Sequence, residues 1–144
     1  MTTENISVPP IDNSEHYQSP YYLVKEFHEI YGQKIRTVPE LNIPEKAMRL
    51  DLVLEEAKEY EEAVNTDDLI EIADALADIV YVAYGAAIAH GINLDIILKE
   101  VQRSNLSKLE DGLVLRRSDG KILKGKNFSQ PDLKTILLND GWQN

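Results

Sequence analysis

At 144 residues the chain suits one domain, residues 1–144, with enough length for a real core. A net charge of −10 argues against a general nucleic-acid or anionic-membrane surface. No cysteine is present, which excludes disulfides, thiolate chemistry and cysteine-ligated zinc.

The opening MTTENISVPP lacks the basic start and apolar core of a signal peptide. No apolar run reaches membrane-spanning length without acids in it. A cytoplasmic protein with neither membrane nor nucleic acid as partner is the expectation.

Residues 1–18 read as an irregular leader, polar and broken by Pro9 and Pro10. Ser19-Pro20 is an N-cap followed by proline at the first helical position. A short helix follows from Tyr21 to Tyr31, stopped by Gly32, with Leu23, Phe27 and Ile30 as its packing stripe. His28 sits among them and reads as a surface or packing histidine rather than a catalytic one. A connector containing Pro39 leads to Pro44, which opens a helix running to Val64. There Leu50, Val53, Leu54, Ala57 and Val64 form an apolar stripe at helical spacing. Asn65-Thr66-Asp67 caps the next helix, Leu69 to Ala89, which His90-Gly91 ends. Asn93 caps a fourth helix, Leu94 to Ser107. Beyond Leu109 the run GLVLRRSDGKILKG predicts a β-hairpin turning at Ser118-Asp119-Gly120, and Pro131 starts a short last helix. Residues 44–108 thus hold the chemistry-bearing helices, and 109–144 a basic hairpin tail with a terminal helix.

The first long helix places Glu55, Glu56 and Glu59 three and four apart, on a side distinct from its apolar stripe. They could continue a second, partly buried surface. The next helix is apolar almost all round, which marks a buried helix. Its acids Glu71, Asp74 and Asp78 fall on one narrow line that Tyr81 and Gly85 continue. Buried carboxylates are costly unless paired or bound to metal. Between Glu40 and Val80 there are thirteen acids and only three bases, Lys46, Arg49 and Lys58. Something positive must relieve that crowding, and hard oxygen ligands select magnesium, manganese or calcium over zinc. Glu61 and Glu62 read as solvated charge, and Asp67 and Asp68 as first-turn complement to the helix dipole.

Nine of the fifteen bases lie between Lys99 and Lys134. An acidic centre followed by a basic tail suits a substrate whose phosphates are bridged by metal. The bland alternative is that these bases solubilise the hairpin and balance the acidic half. Phosphoryl and nucleotidyl transfer need neutralised phosphate oxygens and a positioned water. One glutamate left free of metal, or a metal-bound water, can serve as base, and Glu55 and Glu56 are the candidate glutamates. No Gly-rich phosphate loop and no serine-nucleophile motif is present. The acidic helices carry no internal histidine of the Glu-x-x-His kind, which disfavours a redox di-iron site.

Glu55-Glu56-x-x-Glu59, followed by Glu71-x-x-Asp74 and Asp78-Ile-Val-Tyr81, resembles the MazG-like all-α nucleoside triphosphate pyrophosphohydrolases, a superfamily that includes phosphoribosyl-ATP pyrophosphohydrolases and dimeric dUTPases. The likeness covers about Arg49 to Leu109. It implies an all-α bundle of four to five helices and magnesium-dependent hydrolysis between the α and β phosphates, with manganese able to substitute. Glu55, Glu56 and Glu59 carry over as metal ligands. The second half of the motif reads two ways, as Glu71-x-x-Asp74 or as Asp78 with Asp74 four residues before it. All three acids therefore stand as ligand candidates. The run from Arg103 through Asn105 to Lys108, with Lys124 and Lys126, looks like a tail that holds phosphates. Tyr81, Tyr84, Asn105, Tyr21 or Tyr22 could contact a base. The resemblance also implies a homodimer or homotetramer, to which apolar surface from Ile79 to Ile88 would contribute. The competing reading is a non-catalytic acidic helical module that binds metal, nucleotide or a protein. It would gain if Arg49, Lys58 and the tail lysines neutralised the acids.

Overall fold

A computed structural model describes residues 18–144, so the expected leader lies outside the described residues apart from its last residue. The chain forms five helices: α1 (Pro20–Ile30), α2 (Lys46–Asn65), α3 (Leu69–His90), α4 (Leu94–Leu106) and α5 (Leu133–Asn139). Their ends follow local chemistry. The Ser19 hydroxyl accepts from the Tyr21 amide at 3.1 Å, Asp68 accepts from the amides of Ile70 and Glu71, and Asn93 from that of Ile96. The cap of α3 is therefore Asp68, and Thr66 closes α2 instead. Gly91 ends α3 at φ +74, and a Cβ there would stand 2.1 Å from the Val38 carbonyl oxygen.

α3 is the central helix. α2 packs along it as the other half of a tight helical hairpin, and α1 lies against its C-terminal half. The core forms there, from Val24, Tyr84 and Ile88 with Tyr21, Ile35 and Leu94 packed around them. The connector after α1 runs beside the end of α3. Arg36 donates to the Ala89 carbonyl at 2.7 Å and pairs with Glu45.

Two expectations about faces are corrected. On α2 the side turned inward holds Arg49, Glu56 and Ala63, while the apolar stripe is outside: Leu50 and Leu54 are more than half exposed. On α3 burial is concentrated in the C-terminal half, with Ala75 the buried residue of the first half. Leu69 and Ile70 are 76% and 79% exposed, and Leu76 and Val80 about half so. The exposed apolar surface thus lies mostly before Ile79, and within the span Ile79 to Ile88 only Val80 and Tyr81 contribute to it. The helix is long and apolar enough to cross a membrane by length and composition. Its exposed half, however, carries Glu71 and Asp74, and α1 and α2 pack along it.

The expected β-hairpin is also corrected, since no strand forms among the described residues. The turn is present: Arg117 N–H bonds the Lys121 carbonyl at 2.8 Å and Leu123 N–H that of Leu115 at 2.8 Å. Only isolated bridges result, at Glu110–Leu113 and Arg116–Ile122. The physical reason is the lack of a layer to pack on. Leu113, Val114, Leu115, Ile122 and Leu123 are all at least 36% exposed, and a two-stranded ribbon without packing is marginal.

Candidate active site

Glu56 sits on the inward side of α2, facing Asp78 across the α2–α3 groove. Its Oε2 is buried and has no hydrogen-bond partner. Burial pushes its carboxyl pKa up, and Glu59, Asp78, Glu55 and Asp74 push it further in that order. Five carboxylates therefore share one electrostatic neighbourhood. Glu71 lies one turn earlier on α3, fully at the surface, and is not among the charges acting on Glu56. Asp78 is half-buried, while Glu55, Glu59 and Asp74 are exposed.

No base neutralises this cluster among the described residues. Lys58 pairs with Glu62, away from it. Arg49 is 6% exposed and bonds the Gln33 side-chain oxygen at 2.6 Å, with His28 Nε2 at 3.3 Å. The tail bases are likewise engaged elsewhere. Arg103 holds Glu100 at 2.7 Å and the Gln130 carbonyl at 2.9 Å. The contact with Arg103 lowers the Glu100 pKa to about 2. Lys126 pairs with Asp111 at 2.9 Å, and Lys124 lies 4.5 Å over the Phe128 ring. No contact joins Asn105 or Lys108 to the acids: Asn105 is exposed near the end of α4 and Lys108 lies just past it.

The residues fit a divalent cation chemically. A buried oxygen without a partner, ringed by acids without bases, is a site that positive charge would satisfy. Among the described residues no three of the acids close tightly enough to grip an ion at once. Mutual repulsion holds such a set apart, so a cation would have to draw it together.

Two features escaped the sequence reading. The first is the network behind the groove. His28 Nδ1 lies 3.2 Å from the Lys34 carbonyl, which can only accept. Nδ1 therefore carries the proton, and Nε2 accepts from Arg49. Burial, helped by the Arg49 charge, lowers the His28 pKa. Gly85 makes room: a Cβ there would stand 2.8 Å from Arg49 Nη1. The second is aromatic. Phe27 and Tyr31 stack with centroids 4.4 Å apart, and Tyr81 meets Phe27 edge-on at 5.8 Å. The i, i+4 spacing of Phe27 and Tyr31 was the available signal. Tyr84 is buried and donates to Asp95 at 2.8 Å. Tyr21 and Tyr22 line a separate cavity of about 260 Å³ with Arg36 and Asp95. Ile88, on the wall of that cavity, lies about 15 Å along α3 from Asp78.

Fold and groove together define an all-α protein whose central helical hairpin gathers unpaired carboxylates. The family described as phosphoribosyl-ATP pyrophosphohydrolase matches residues 24–105, more than half of the chain. The chain belongs to this family, within the MazG-like all-α superfamily. It is also 42% identical over 80 residues to an uncharacterized protein of Acanthamoeba polyphaga mimivirus, covering 52% of this chain and 32% of that protein. The chain thus spans about a third of the length of that relative.

Proposed function

We propose that the protein is a magnesium-dependent nucleoside triphosphate pyrophosphohydrolase that converts a (deoxy)nucleoside triphosphate to monophosphate and pyrophosphate. One observation carries the reading: Glu56 and the acids around it have no basic partner, and Arg49 and Lys58 are spent elsewhere. The acidic-module alternative would have gained had Arg49 and Lys58 neutralised the acids, and they do not. Family membership supports the pyrophosphohydrolase class.

Glu55, Glu56, Glu59, Asp74 and Asp78 would hold the cation, with Glu71 an outer candidate. Magnesium, or manganese in its place, supplies charge neutralisation at the phosphate oxygens. Whichever of Glu55 and Glu56 is left free of the cation would take a proton from the attacking water. The water oxygen bonds to the α phosphorus, the bond from that phosphorus to the α–β bridging oxygen breaks, and pyrophosphate leaves. Without metal, burial and the acids around it raise the proton affinity of Glu56. The tail bases Arg103, Lys124 and Lys126 reach phosphate only if their present contacts exchange, and Lys108 would join them. We also infer a cytoplasmic protein and a homodimer or homotetramer; the exposed Leu69, Ile70, Leu76 and Val80 of α3 support the oligomer as a surface for a second copy.

The test is product analysis. The protein is incubated with each common NTP and dNTP, with magnesium and then with EDTA. Monophosphate plus pyrophosphate, lost with EDTA, is the expected result. Diphosphate plus phosphate would overturn the bond assignment, and no turnover of any nucleotide would favour the binding module.

A further inference from the structure

We propose that Phe27, Tyr31 and Tyr81 form the platform on which the nucleobase of the substrate stacks, and that this platform favours purines. The inference rests on the nucleotide reading of the groove. It adds which surface carries the base and how it discriminates.

Position comes first. Tyr81 lies three residues beyond Asp78 on the same line of α3, one turn or about 4.5 Å along the axis. α1 ends at Ile30, with Tyr31 as its cap residue. Helix α1 therefore covers α3 as far as the rings, and the acids begin just beyond its end. A nucleotide with its phosphates at the acids would meet the ring cluster about one helical turn of α3 further on.

Construction comes second. Exposures of 37%, 67% and 36% for Phe27, Tyr31 and Tyr81 leave ring surface open. Each ring is nonetheless braced by another, with Tyr31 against Phe27 and Phe27 against Tyr81. The cluster is fixed from behind. His28, next to Phe27, is 1% exposed and bonded between Arg49 and the Lys34 carbonyl. With Tyr31 tilted 36° on Phe27 and Tyr81 edge-on to it, the braced rings offer open apolar surface for one stacked base at little ordering cost, with the other rings at its edge.

Chemistry comes third. Stacking on aromatic side chains tolerates every base, because each has a π face. It rewards overlap, so the two-ring purines gain more than the one-ring pyrimidines. The platform therefore ranks substrates by ring size.

Calorimetric titration of the full-length protein in magnesium tests this with three probes: α,β-methylene-ATP, α,β-methylene-UTP and inorganic tripolyphosphate. The expected result is that wild type binds the adenine analogue more tightly than the uracil one. Tyr31→Ala and Tyr81→Ala should each weaken the adenine analogue roughly ten-fold and leave tripolyphosphate within about two-fold. Tyr31→Trp should restore or tighten nucleotide binding. Equal losses for nucleotide and tripolyphosphate, or no loss for either, would overturn the platform. So would dissociation of the oligomer by Tyr31→Ala in sedimentation, which would make the rings a subunit contact. Nucleotide binding with these losses but no release of pyrophosphate would sink only the hydrolase reading. Wild type that binds none of the probes would overturn both.

Discussion

Glu56 carries a buried oxygen without a partner and four acids around it, so folding raises its proton affinity. Its folded pKa stands above the ordinary 4.5, so protonation stabilises the metal-free fold, and that contribution is lost as pH rises through the raised value. Glu56→Gln should therefore raise the melting temperature at neutral pH without metal. The same change should lower kcat by about 100-fold or more, as expected for loss of a proton acceptor. A variant that melted lower would contradict the crowding argument. His28 works with the opposite sign. Its folded pKa lies below 6.5, so its contribution is complete above 6.5 and is lost as pH falls from there. In the Glu56→Gln background, where the competing carboxylate is gone, melting temperature should fall steadily below pH 6.5. A flat profile would mean His28 does not titrate against Arg49. Gly85 adds a packing test. Alanine gains about 1 kcal/mol of helix propensity, but its methyl group would press on a guanidinium held by Gln33 and His28, an overpacking cost of about 1–3 kcal/mol. Gly85→Ala should come out net destabilising by about 1 kcal/mol in urea unfolding.

Asp95 ties three helices with one carboxylate. It accepts from the Ser19 hydroxyl at 2.7 Å and the Tyr84 hydroxyl at 2.8 Å, joining the α1 cap and the α3 core to the first turn of α4. Asp95→Ala should cost about 2 kcal/mol in unfolding free energy, because two bonds to a charged group are lost. The helices themselves were legible in the sequence, because their ends are local chemistry: Ser19-Pro20, Asn93 and Gly91 act within a turn of where they stand. The acid groove was legible for the same reason, since helical spacing alone puts Glu56 near Glu59 and Asp74 near Asp78. What periodicity could not tell is which face meets which neighbour. The Leu50–Leu54 stripe reads as core, yet α3 takes the side with Arg49 and Glu56. The hairpin failed at the same level, because turn residues specify a reversal but not a surface for strands to rest on. The Arg49–Gln33–His28 network was hidden because its members lie in α2, a connector and α1, and no spacing rule links them.

At the scale of the whole molecule, α3 exposes Leu69, Leu76 and Val80 on the face turned away from its acid line. A second copy seated there would bury Leu76 and Val80. Val80→Asp should shift sedimentation toward monomer; a variant that stayed oligomeric would move the interface elsewhere. The central claim is that the acids of α2 and α3 form one cation site. Manganese titration followed by electron paramagnetic resonance tests it directly, in wild type, Glu56→Gln and Asp78→Asn. The account predicts binding by wild type and a loss of affinity of about ten-fold or more in each variant. Equal binding in all three, or none in wild type, would contradict it.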